Sequence, residues 1–185
     1  AHHQAVAADE AEDPGQHLIR AGTVMAIDQD DLVRLAAGLD LAGVAHADVV
    51  IEAIFENLEA KQALLRALEA RMKPGAILAT NTSSLKLEDL RTVLAHPARL
   101  VGIHFFNPVA LMPLVEVVAA EGADPAMVQA ACAFVKQIDK LPLPVRSAPG
   151  FLVNAVLAPY MLAAMRAVDS GISPATVDAA MLAFG

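Results

Sequence analysis

The chain has 185 residues, a formal charge of −8 and a mean hydropathy of +0.50, much of it from alanine in helical context. That length suits one domain, or one plus part of another, and the acidic balance argues against nucleic acid and anionic membrane surfaces as partners. The longest apolar run, residues 155–165, is broken by Pro159 and is too short to span a bilayer, while the single cysteine, Cys132, excludes an internal disulfide.

The first 27 residues carry the least signal. Residues 1–15 are small and acidic and end in the breaker Pro14-Gly15, so no leader pattern is expected and the cytoplasm is the expected compartment. His2 and His3 could touch a metal, but adjacent histidines near a terminus are ordinarily solvated, and no metal site is expected. Residues 27–39 predict a short helix, with Asp28 or Asp30 as N-cap and Leu32, Val33 and Leu35 as its apolar positions. Gly38 and Gly43 bound a loop. No G-x-G-x-x-G occurs anywhere in the chain.

From residue 47 the pattern sharpens. Asp48-Val49-Val50-Ile51-Glu52-Ala53-Ile54 reads as a buried parallel strand with a charge at its C-terminal shoulder. Glu56-Asn57 opens a helix to about Lys73, with Leu58, Leu65, Leu68 and Met72 inward and Pro74-Gly75 as its stop. A strand over 76–80, the turn Asn81-Thr82-Ser83-Ser84 and a short helix through Leu87, Leu90, Val93 and Leu94 follow. The β-α-β-α-β order is that of a doubly wound half sheet, which places Ile54, Phe55, Glu56, Ser83 and His104 on one rim beyond the strand C-termini.

The run Val101-Gly102-Ile103-His104-Phe105-Phe106 and the run Leu114-Val115-Glu116-Val117-Val118 are strands joined by seven residues, too few for a parallel crossover. Folding them symmetrically about Ala110 sets His104 opposite Glu116. A carboxylate between two valines is costly to bury unless paired, and the imidazole is its partner. Such pairs in cores are ordinarily structural. Here the strand's C-terminal end brings the pair to the ligand rim, where a carboxylate on one ring nitrogen leaves the other as a general base.

Asp124-Pro125 caps a further helix, with Val128, Cys132, Val135 and Ile138 inward, and Leu141 to Val145 reads as an edge strand or extended connector. Ser147 to Gly150 marks a boundary between a domain over 1–146 and the start of a helical one over 147–185. Beyond it a helix is expected from Phe151 to Ser170, kinked or re-started near Pro159 and stopped by Gly171, and another begins at Ser173-Pro174. Asn154 stands in an apolar, buried-looking stretch. It either caps backbone or aims at a substrate oxygen.

Together, residues 48–58 with Lys61, Asn81-Thr-Ser-Ser-Leu85, His104-Phe-Phe-Asn-Pro108, Leu114-Val-Glu-Val117 and Pro149-Gly-Phe-Leu-Val-Asn154 resemble the L-3-hydroxyacyl-CoA dehydrogenase family. The likeness is strongest to the dehydrogenase part of bacterial multifunctional fatty-acid-oxidation proteins, and spans roughly residues 45–185. It implies a partial Rossmann-like sheet followed by the start of an all-helical acyl-CoA and dimerisation domain. By resemblance, His104 takes the 3-hydroxyl proton while hydride passes to NAD, and Glu116 orients it. Ser83 and Asn154 match substrate contacts; Ile54, Phe55, Glu56, Lys61, Ser83 and Asn107 match the cofactor side, and Lys61 is also expected at the CoA phosphates. The implied partners are acyl-CoA and other subunits, as a homo-oligomer or within a larger multifunctional chain.

The family's opening strand, glycine-rich turn and helix are not recognisable in residues 1–45. The chain by itself is therefore expected to bind NAD weakly and not to turn over. The strand at Val49 is expected to be covered by another chain or by a non-standard N-terminal arrangement. A non-catalytic remnant that binds a partner or acyl-CoA is the alternative. A β-hydroxyacid dehydrogenase ranks third, because the helix after Phe151 has no lysine.

Overall fold

The computed structural model describes residues 23–28, 31–38 and 43–184, with side chains from residue 43 onward. The histidines at 2 and 3 and the acidic stretch over 1–15 lie outside the described residues. One sheet organises the chain. Strands β1 (Thr23–Asp28), β2 (Asp31–Gly38), β3 (Val49–Ala53), β4 (Ile77–Thr80), β5 (Leu100–Phe105), β6 (Leu114–Ala119) and β7 (Leu141–Arg146) run in the order β2-β1-β3-β4-β5-β6-β7. The neighbours β3, β4 and β5 are parallel, β6 turns back antiparallel to β5, and β7 lies parallel to β6.

Strand alternation sorts the core into two layers. Val49, Ile51, Ile77, Ala79, Val101, Ile103, Val115 and Val117 face one side and meet Ala131, Phe134 and Val135 of helix α3 (Pro125–Gln137). Pro125 at its first turn and the Asp124 carboxylate, which accepts from Ala126 N–H at 2.9 Å, start that helix. Cys132 packs at its margin, and burial pushes its thiol pKa up against the charge of Lys136. The opposite layer is apolar only at its base. There Val50, Leu78, Leu100 and Val118 meet Leu65 and Leu68 of helix α1 (Leu58–Glu69) and Leu87 and Leu90 of the one-turn helix α2 (Leu87–Leu90). Gly102 lets this layer close, since a Cβ there would stand 2.7 Å from Val118 Cβ.

Toward the C-terminal ends of β3, β4 and β5 the same face turns polar. Glu52, Thr80, His104 and Glu116 are all buried and all fall on the residue parity that faces α1. Period-two alternation thus delivers four polar groups to one corner.

Two expectations differ from the structure. Of the stretch 27–39, where a helix was expected, the described residues 27–28 and 31–38 lie in strands: β1 pairs antiparallel with β2 on one side and with β3 on the other. The free edge of a buried strand offers a ladder of unpaired N–H and C=O groups. Satisfying it outweighs the weak local helix preference of a dozen residues. Helix α4 (Val153–Asp169) is also not buried. It runs through Pro159 without restarting, and Val156, Leu157, Tyr160, Met161 and Met165 stay exposed. Gly171, at φ +99, follows the end of α4, and α5 (Pro174–Phe184) begins at the Ser173 hydroxyl, which accepts from Thr176 N–H. No helix of the described residues is long and apolar enough to cross a membrane.

Strand β7 is an edge built with proline. Its odd-numbered N–H groups turn inward, as Leu141 N–H to Pro113 O and Ser147 N–H to Ala119 O show. Pro142 and Pro144 occupy the alternate positions.

Candidate active site

The β5–β6 ladder pairs His104 with Glu116, as the symmetry of the turn requires. His104 Nδ1 stands 2.8 Å from Glu116 Oε2, with the imidazole 6% and the carboxylate 0% exposed. With Glu116 as the accepting carboxylate, the proton resides on Nδ1, which leaves Nε2 as the free lone pair. Phe106 and Phe151 press edge-on against the imidazole, at centroid distances of 4.7 and 5.4 Å. The second carboxylate oxygen is also used: Glu116 Oε1 accepts from Leu152 N–H and Val153 N–H, both at 2.9 Å. Phe151 itself is buried, with φ +48, after Gly150 at φ +72.

The neighbouring loops are stitched by a second buried acid. Glu52 takes Lys61 Nζ at 3.1 Å on each oxygen, Ile54 N–H at 3.3 Å and the Thr80 hydroxyl. Lys61 is 1% exposed, donates also to Ile54 O at 3.0 Å and stands 3.5 Å from Glu56 Oε2. Lys61 was expected on the rim, in contact with ligand phosphate. The structure places its ammonium inside instead, because three acceptors from β3 and the loop after it converge there.

Glu56 carries the network outward. Its Oε1 accepts from the Thr82 hydroxyl, from Ser83 N–H at 3.0 Å, and from Ser84 N–H and hydroxyl at 2.9 Å. Burial pushes its pKa up, but the bonds from Thr82 and Ser84 and the charge of Lys61 outweigh that and hold the carboxyl at about 2. A depressed folded-state pKa stabilises the fold above the ordinary value of 4.5, and this contribution is lost as pH falls through about 2. In denaturant titrations repeated across that window, Glu56→Gln is expected to flatten the acid dependence of stability. An unchanged slope would remove the network from the account.

Other rim residues fall where the strand ends put them. Ile54 is half-buried; Phe55, Glu56, Ser83 and Asn107 are exposed just past β3, β4 and β5; Asn154 is half-buried in the first turn of α4. Asn81 ties β4 to β5 by accepting from Phe105 N–H at 3.0 Å. Sequence reasoning missed Glu52, Thr80 and Phe151 as site-building residues. For Glu52 a signal existed, since it shares the parity of the face that bears His104.

Comparison with known proteins shows what the chain resembles. Residues 3–148 match the family model described as 3-hydroxyacyl-CoA dehydrogenase, NAD binding domain, and residues 150–185 match that of the 3-hydroxyacyl-CoA dehydrogenase C-terminal domain. The fatty acid oxidation complex subunit alpha of Vibrio campbellii is 40% identical over 157 residues, which is 85% of this chain and 22% of that protein. Its counterpart in Pseudomonas putida is 42% identical over 147 residues, 80% of this chain and 21% of the relative. The chain thus spans about a fifth of the length of these curated relatives. Among solved structures, 3-hydroxybutyryl-CoA dehydrogenase from Escherichia coli superposes with a TM-score of 0.69 at 38% identity, over 74% of this chain and 29% of that one. An NAD-dependent dismutase acting on a substituted pyridine carboxylic acid superposes with a TM-score of 0.71 at 32% identity, over 74% of this chain and 45% of that one.

Proposed function

The chain belongs to the 3-hydroxyacyl-CoA dehydrogenase family, and from that premise we propose that it carries the base of an enzyme oxidising L-3-hydroxyacyl-CoA to the 3-keto thioester in fatty-acid β-oxidation. The observation that carries this reading is the buried His104–Glu116 pair at the rim beyond the C-terminal ends of the parallel strands β3, β4 and β5, its Nδ1–Oε2 distance 2.8 Å. The family's NAD, when bound, accepts the hydride.

This chain's residues do the rest. His104 Nε2 takes the proton of the 3-hydroxyl, and Glu116 holds Nδ1–H and offsets the charge that the imidazolium acquires. Ser83 and Asn154 are the candidate partners of the substrate oxygens. Phe106 and Phe151 flank the ring and limit the water that reaches it. Ile54, Phe55, Glu56 and Asn107 fit the nicotinamide side of a dinucleotide, since they stand open beyond adjacent strand ends with one ionised carboxyl fixing the loop between them. Lys61 supports that loop from inside. The fold supports a division at residues 147–150. By likeness to the complex subunits the whole protein is proposed to work in the cytoplasm within a multifunctional assembly.

The solved relative named for a 5-formyl pyridine carboxylic acid is a dehydrogenase of this fold whose named substrate is not a CoA thioester. The test is therefore substrate-resolved. The full-length protein, given NAD and L-3-hydroxybutyryl-CoA, is expected to produce NADH absorbance at 340 nm. The free hydroxy acid and the D-thioester should give at most a trace, and equal rates on all three would sink the acyl-CoA reading.

A second reading is favoured by one feature. In a dinucleotide fold the strand beside β3 is parallel and ends in the phosphate turn. Here β1 fills that place antiparallel, with Thr23 opposite Ala53. On this reading the 185-residue chain alone shows no saturable NAD binding by calorimetry at micromolar concentrations. Saturable binding would discard it.

A further inference from the structure

Glu116 serves two masters. One oxygen holds the base, and the other caps a helix that begins 37 residues later in the chain. Helix caps are ordinarily supplied by a Ser, Thr, Asp or Asn at the N-cap itself. Here the N-cap position is Leu152, which offers no side-chain bond, and the carboxylate arrives from β6.

The turn that makes this possible is strained. Gly150 and Phe151 both lie in the left-handed region, at φ +72 and +48, and an aromatic residue adopts that conformation only where its surroundings hold it there. What holds it is on both sides. Phe151 N–H bonds Ala148 O at 2.9 Å, and its side chain belongs to the buried cluster that includes Leu87 and Val118, its ring edge-on to His104. The conformation aims the next two N–H groups at Glu116.

Beyond this turn, α4 contributes no buried side chain. Its first turn is tied to the sheet by Phe151 and Glu116, and both of these also contact the base. We infer that residues 150–153 form a positioning element for His104, with Phe151 as its key residue. The dyad takes its working geometry when α4 is seated, which couples the helix bearing Asn154 to the orientation of the base. This deepens the dehydrogenase reading and rests on it for its kinetic arm.

The surroundings make the coupling electrostatically simple. The rim segments 80–85, 106–113 and 150–165 contain no charged side chain, and Glu116 is the charged group paired with His104, while Glu52, Lys61 and Glu56 form the neighbouring charged network after β3. A shift of α4 therefore acts on the imidazole through one carboxylate and one ring.

Two variants of the full-length protein test this. Gly150→Ala places a Cβ 3.2 Å from Asn154 Cβ at a positive φ, which displaces the N–H donors. Phe151→Leu removes the ring edge and keeps the donors. Each is expected to lower kcat roughly ten- to a hundredfold, the scale of a small misplacement of a catalytic group, with KM for NAD unchanged. The downfield proton resonance of His104 Nδ1–H should broaden or vanish in both, with circular dichroism retained. Phe151→Leu decides the matter should Gly150→Ala fail to fold. Normal kcat with a sharp resonance overturns the inference, as does a rise in KM alone, which would leave α4 a binding element only. An inactive parent protein would instead refute the dehydrogenase reading, and the resonance would still report on the coupling.

Discussion

Replacing His104 with Gln in the full-length protein is expected to lower kcat for L-3-hydroxyacyl-CoA by ~10²–10⁴-fold, the usual worth of a positioned base. Glutamine fills a similar volume between Phe106 and Phe151, and its amide can still donate to Glu116 Oε2. The carboxylate is therefore not stranded, α4 keeps its cap, and the fold should survive. What disappears is a nitrogen able to take a proton and carry the charge. NAD affinity should be preserved, because the substitution leaves the proposed cofactor-side residues Ile54, Phe55, Glu56 and Asn107 in place. Steady-state kinetics with matched circular dichroism decides it, and near-normal turnover would show that the pair is a core contact and nothing more.

Lys61→Met should cost about 3–5 kcal/mol of stability, the toll of breaking a buried ion pair from one side. Glu52, 0% exposed, would keep only the Thr80 hydroxyl and Ile54 N–H for its charge. Replacing both partners, as Lys61→Met with Glu52→Gln, should recover most of the loss, since a buried pair contributes little net once neither charge remains. Denaturant midpoints of the three variants measure this. A loss below about 0.5 kcal/mol for Lys61→Met would mean an exposed lysine of the ordinary kind and would restore the expected surface contact with phosphate.

The two predictions mark what the sequence does and does not disclose. His104 and Glu116 were readable because a short connection fixes antiparallel register, and register fixes which side chains meet. The cap at Asn57, which accepts from Ala60 N–H, the stop at Pro74-Gly75 and the start at Asp124-Pro125 were equally local. The burial of Lys61 was not readable, because a lysine in the first turn of a helix reads as solvated unless the acid across the sheet is known to face it. That fact belongs to packing between α1 and β3. The helix expected over 27–39 failed for a similar reason, since the edge of β3 is a tertiary demand that no local window contains. Phe151 stands in the run 149–154 that carries the family resemblance, but nothing in the sequence shows what its ring does. Its role follows from a backbone angle.

The prolines of β7 have a consequence for how copies of this molecule meet. A strand that approached the outer side of β7 would seek donors at positions 142 and 144 and find pyrrolidine rings. Pairing there would bury carbonyls without partners, so the sheet cannot be lengthened from this side by a second molecule or by an unfolded neighbour. A fibre needs a surface that repeats itself, and along this border the molecule offers an end.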